Sequence, residues 1–192
     1  GDGLLRNHGF LSYEEQQPVF SGFAQSSVRS EEKMIHGADA ITVEDRRSLM
    51  CNVKSLNLLP NCLAKHAAQK KGVSKALMVR DGIVTEEKSG NIFIVKDGVV
   101  LTHPDGGKIL PGITKKLILN ILHTRHIPVW EKEFSEEEML HADEVMVTDT
   151  NSEIVPIIKI NDQIIGSGKR GEITQDIQIA YKALIEETCG KL

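Results

Sequence analysis

Asn91-Ile92-Phe93-Ile94-Val95-Lys96-Asp97-Gly98-Val99-Val100-Leu101-Thr102 consists of two apolar, β-branched runs held apart by a polar triplet. Asp-Gly supplies the left-handed backbone that a tight reversal needs, so this is the strongest hairpin signal in the chain. Working outward, Lys75 to Val79 is a further β run. Past the turn-rich Pro104-Asp105-Gly106-Gly107, the spacing of Leu117, Ile118, Ile121 and Leu122 predicts a helix from near Gly112 to near His126. Ile127 to Glu131 and Glu144 to Thr148 read as strands, and Ile154 to Ile160 pairs with Gln163 to Ile165 across Asn161-Asp162. Ser135-x-x-Glu138 is a capping box that opens a short helix. The last helix, Glu172 to Glu187, carries Ile173, Ile177, Ala180, Tyr181 and Leu184 on one face.

Upstream, Ala38 begins an alternating strand, and Leu49 to Lys54 reads as a second extended segment after the polar turn Arg46-Arg47-Ser48. Asn57 to Lys71 is a predicted helix, with Pro60 in its first turn, basic residues in its last and Gly72 closing it. Residues 1–37 show no sustained period and read as loop with short extended pieces. Strands outnumber helices, which gives an α+β class with a mixed sheet and peripheral helices.

The 192 residues are 40% apolar, enough for a substantial core, and the net charge of −4 comes from interspersed signs. Nothing basic enough for nucleic acid stands out. No apolar run reaches the roughly 18 residues of a membrane span, so a cytoplasmic protein is expected. Cys51, Cys62 and Cys189 are widely spaced and odd in number, so reduced thiols are expected. The histidines show no ligand spacing, and no metal site is indicated. Zincin, nucleophile-elbow, phosphate-loop and dinucleotide motifs are absent.

Lys54 closes an apolar run just before Ser55-Leu56-Asn57-Leu58-Leu59. Holding an amine neutral there at pH 7 would cost roughly 4 to 5 kcal/mol from its reference pKa, so taken alone a snorkelling structural lysine is the favoured reading. Three segments change that weighing: Asn52-Val53-Lys54-Ser55-Leu56-Asn57-Leu58-Leu59; Val84-Thr85-Glu86 with Ser89-Gly90-Asn91-Ile92-Phe93; and Leu110-Pro111-Gly112-Ile113-Thr114. Their order and spacing resemble the fold-type IV pyridoxal-phosphate enzymes, and within them the D-amino acid aminotransferases. The likeness extends from about Arg6 to the end.

The resemblance implies a barrel-like, cofactor-bearing C-terminal domain over 38–192, with 1–37 ending a smaller N-terminal domain that this chain would lack. It implies pyridoxal 5'-phosphate as cofactor, with Lys54 forming the Schiff base and shuttling the substrate proton. Glu86 would keep the pyridine nitrogen protonated, and Leu110 would pack on the ring. Gly112, Ile113, Thr114 and Thr150 would hold the phosphate at a helix start. Asp149 stands where the family has a hydroxyl or small residue; two charges about 4 Å apart at a dielectric near 20 would repel by roughly 4 kcal/mol. Asp149 must then turn away, offer only its backbone, or weaken cofactor binding.

If their stretch is extended, Arg6 and His8 project to one side and can grip a carboxylate; the family uses such pairs as a substrate trap reaching into a neighbouring subunit, which implies a homodimer. Transamination between D-amino acids and 2-oxo acids is the implied activity. Branched-chain aminotransferases and aminodeoxychorismate lyases share the lysine and acid roles, and a non-enzymatic assembly module on the same fold stays open.

Overall fold

The computed structural model describes residues 21–26, 29 and 31–191. Arg6 and His8 lie outside them. The elements in order are α1 (Glu31–His36), β1 (Ala38–Glu44), α2 (Leu59–Lys70), β2 (Lys75–Arg80), β3 (Ile83–Glu87), β4 (Asn91–Lys96), β5 (Val99–Thr102), α3 (Ile113–Thr124), β6 (Val129–Glu131), α4 (Glu136–Leu140), β7 (Glu144–Asp149), β8 (Glu153–Ile160), β9 (Gln163–Ile164) and α5 (Glu172–Cys189).

The strands form one mixed sheet in the order β3-β2-β1-β8-β7-β4-β5-β6, with β9 on β8. Strand β1 is parallel to β2 and β8, β5 is parallel to β6, and the remaining pairs are antiparallel. Four strands separate β3 from β4 in this order, yet only Lys88, Ser89 and Gly90 connect them. In a flat sheet five inter-strand steps would hold them about 24 Å apart, whereas the chain from Glu87 to Asn91 reaches at most about 14 Å. The sheet therefore curls into a half-barrel.

Both sheet faces are buried, which explains the near-continuous apolar strands. Ile92 and Ile94 pack on one face with Leu77, Val84, Val147 and Phe134. Phe93 and Val95 turn to the other, against Ile118 and Leu122 of α3 and Ile177 of α5. Helix α2 packs Ala64 and Ala68 on Ala76 and Met78 of β2.

The central hairpin pairs Lys96 with Val99, and Asp97 and Gly98 take φ values of 50° and 75°, the paired left-handed geometry that its dipeptide encodes. Both capping-box bonds form: Glu138 N–H donates to Ser135 Oγ at 3.0 Å, and Ser135 N–H donates to Glu138 Oε2 at 2.8 Å.

Two expectations are corrected. Leu49 to Lys54 is not a strand: Cys51 N–H donates to Gly107 O and Val53 N–H to Met50 O, and Leu49, Met50 and Val53 are at least half exposed. The bend begins where Arg47 N–H donates to the Asp45 side chain at 3.1 Å, a local bond that competes with strand pairing. In the segment read as loop, Glu31–His36 forms α1, which buries Met34 and ends at Gly37 with φ +81°.

Phe93 is fully buried between β4 and the α3–α5 layer. Phe93→Ala should lower unfolding free energy by about 3 to 5 kcal/mol in a denaturant titration.

Candidate active site

The bend after β1 delivers the most heavily bonded side chain of the site. Arg47 donates from Nε and Nη2 to the two oxygens of Asp45, both at 2.8 Å, and from Nη2 to Lys108 O at 3.0 Å. Its Nη1 contacts Glu86 Oε1 in a buried ion pair. Asp45 is further held by Thr85 Oγ1 at 2.8 Å and Arg80 Nη2 at 3.1 Å. Two carboxyl groups thus face two guanidiniums in one buried network.

Glu86 belongs to β3 and is 6% exposed. Its Oε2 accepts from Leu110 N at 3.0 Å and Asn91 Nδ2 at 3.2 Å. Burial pushes its pKa up to about 7, against the opposing pull of Arg47 and the Leu110 amide. Burial outweighs that pull, with a smaller upward push from the neighbouring Asp45 charge. For Asp45 burial also pushes upward, but its bonds to Arg47 prevail and hold it at about 2. Burial would lower Arg47, but Asp45 and Glu86 raise it above its ordinary value, so it stays charged.

Lys54, Glu86 and Leu110 line one cavity of about 340 Å³, together with the bend from Arg47 to Cys51, the 53–58 loop and Asn61 of α2. Lys54 sits in irregular chain just before α2, exposed, not in the apolar strand end expected of it. The same cavity therefore holds a primary amine, a buried carboxylate opposite a guanidinium, and an aliphatic wall from Leu110.

Gly112, Ile113, Thr114, Asp149 and Thr150 do not line this cavity. They are tied to it through Asn91. The Asn91 side chain donates to Leu110 O at 2.9 Å and presses on Gly112, where an added Cβ would lie 2.0 Å from Asn91 Oδ1. Asn91 pairs in register with Thr148, two residues before Thr150. Gly112 is the N-cap of α3, so the first amides of that helix open beside Asn91. Thr148 Oγ1 is buried with no hydrogen-bond partner among the described residues. No group of three metal-ligating side chains occurs among them, and no described helix is long and apolar enough to cross a membrane.

Asp45, Arg47 and Asn91 were not singled out from sequence. Arg47 sits in an Arg-Arg turn that looks solvated, and its partner Glu86 is 39 residues away. The only local signal was the two-residue Asp45-Arg47 spacing of a side-chain-capped turn.

The class IV amino-transferase family pattern matches residues 4–160. The D-alanine aminotransferase of Staphylococcus haemolyticus is 42% identical over 181 residues, covering 94% of this chain and 64% of that protein. Among solved structures, the branched-chain aminotransferase of the archaeon Thermoproteus uzoniensis with norvaline superposes with TM-score 0.74 at 33% identity, over 81% of this chain and 53% of that one. An aminotransferase from Brucella abortus bound to the cofactor PLP gives 0.71 at 27%, over 77% and 54%. The chain belongs to the class IV aminotransferase family and has its fold-type IV half-barrel. It spans about two thirds of the length of the curated relatives it matches.

Glu86 binds its proton more tightly folded, at about 7, than at its ordinary 4.5. Its contribution to stability is therefore greatest below pH 4.5 and declines as pH rises to 7. In the cofactor-free protein, Glu86→Gln should abolish that decline, read from urea midpoints across the interval. The Asp45 contribution, lost only as pH falls from 3.8 towards 2, should persist.

Proposed function

We propose that the chain is the cofactor-bearing part, residues 38–192, of a pyridoxal 5'-phosphate-dependent aminotransferase that moves amino groups between D-amino acids and 2-oxo acids. The observation that carries this reading is the opening of Lys54 and Glu86 onto one cavity beside Leu110. An amine that can bond to an aldehyde and a buried acid that can pair with a ring N–H fit this group. When bound, the cofactor supplies the electron sink that accepts the pair left when the substrate Cα loses its proton.

Each residue then has a defined task. Lys54 Nζ would be nucleophile and base, taking the proton from the substrate Cα and delivering it to the cofactor carbon that carried the aldehyde. Glu86 gives up its proton when a cationic N–H sits opposite it, because a neighbouring positive charge favours the carboxylate. Arg47 and the Leu110 amide hold that carboxylate in place. Leu110 excludes water from one ring face. The amides opening α3 at Gly112, Ile113 and Thr114, with Thr150, receive the phosphate ester. Arg6 and His8 grip the substrate carboxylate, across the interface of a homodimer.

The D-alanine specificity named for the sequence relatives favours D-amino donors. The likeness to branched-chain aminotransferase structures supports a second reading, transfer from L-branched-chain amino acids.

On adding the cofactor, the full chain should develop a visible absorbance band, and borohydride should fix the cofactor's mass on Lys54. Lys54→Ala should lose both, and turnover should fall by at least about 10²–10⁴-fold. Coupled assays should favour D-alanine with 2-oxoglutarate over L-leucine or aminodeoxychorismate. Faster turnover of L-leucine would decide for the second reading, and no band or fixed mass would leave a non-enzymatic module.

A further inference from the structure

Asp149 ends β7 immediately before Thr150, yet its carboxylate is fully engaged elsewhere. Oδ1 accepts from Asn151 N–H at 2.8 Å and Ser152 N–H at 2.7 Å, which closes the turn containing Thr150. Oδ2 accepts from Lys75 Nζ at 3.2 Å. Lys75 is 5% exposed and opens β2, three places from β7 along the sheet, so the pair forms across the curl.

Asp149 is linked to the start of α3 through Gly90 and Asn91. An added Cβ on Gly90 would lie 2.5 Å from Thr148 O and 3.1 Å from Asp149 Cβ, and the next residue, Asn91, packs on Gly112. The Thr148 hydroxyl, without a hydrogen-bond partner among the described residues, lies in the same row. The other charges beside Asp149 are also paired: Glu87 with Lys88 at 3.0 Å, and Glu153, opposite Asp149 in register, with Arg29 Nη2 at 2.7 Å. Among the described residues these pairs set three cations, Lys75, Lys88 and Arg29, against three anions, Asp149, Glu87 and Glu153.

We propose that Lys75 is a positioning residue that makes Asp149 compatible with a phosphate ester: it neutralises the carboxylate and steers it into the turn presenting Thr150. The role rests on the phosphate placement proposed above. Without Lys75 an unbalanced carboxylate would stand next to a dianion; without Asp149 a freed ammonium would attract it.

The test compares dissociation constants of pyridoxal 5'-phosphate and of pyridoxal, which lacks the phosphate, in the full chain and in K75M, D149N and K75M/D149N. The preference for the phosphorylated ligand should fall at least about tenfold in K75M (~1.4 kcal/mol). It should hold or rise in D149N, and return to within about threefold of the parent in the double variant. A pair that only fastens the half-barrel would weaken both ligands equally in K75M, and that result overturns the proposal. So does a lowered preference in D149N, which decides the matter even if K75M fails to fold. A parent chain that binds both ligands with no phosphate preference overturns the phosphate placement as well. If the parent binds neither, the cofactor reading itself fails, a result distinct from an unchanged preference in K75M.

Discussion

A connection of three residues between β3 and β4, strands that the sheet order keeps four strands apart, is the constraint on which this molecule depends. It forces the sheet to curl. The curl brings together residues that linear order and strand order both separate: Glu86 before the turn, Asn91 after it, and the Thr148–Thr150 end of β7 beside it. Gly90 is the residue that permits the approach, because any side chain there would collide with the Thr148 carbonyl. The core on both faces of the sheet fixes the curl and hence the spacing of the site.

Onto this frame the bend after β1 adds one guanidinium shared between two buried carboxylates. The sharing is unequal. Asp45 takes two Arg47 donors, a hydroxyl and a second arginine, and is held far below its ordinary pKa. Glu86 is left with one Arg47 contact, an amide N–H and an asparagine, and burial prevails. Two acids in one network are thereby driven in opposite directions, one kept charged at neutral pH and the other poised to respond to a charge placed in the cavity. Arg47 also bonds Lys108 O, while Gly107 O receives Cys51 N–H, so the loop bearing Lys54 and the loop bearing Leu110 are clipped together.

What could be read from the sequence follows the range of the interactions. The Asp97-Gly98 reversal, the Ser135–Glu138 capping box and the helices α3 and α5 rest on residues within a few positions of one another, and they were legible. Leu49 to Lys54 misled because its apolar residues resemble a strand, while the chain is bent by a side chain two residues from its target and held by one backbone bond to residue 107. The half-barrel itself followed from resemblance, since no local pattern records which strands are neighbours. Glu86 would have passed for a surface acid, and Arg47 carried no sign of its role; both roles exist only once β3 meets the bend after β1.

Asp149 shows how a departure from a family pattern is to be weighed. A carboxylate beside a phosphate site implies a repulsion of roughly 4 kcal/mol if both charges face each other at about 4 Å. That cost assumes the carboxylate is unbalanced. Here both its oxygens are committed, one to two amides of its own turn and one to a buried ammonium from β2. Burial alone would push its pKa up, yet the Ser152 amide and Lys75 hold it below the ordinary carboxylate range, so it is ionised and the ion pair persists. The repulsion that a free acid at position 149 would bring is thus met by the ammonium at position 75, and the two residues are to be read as one unit.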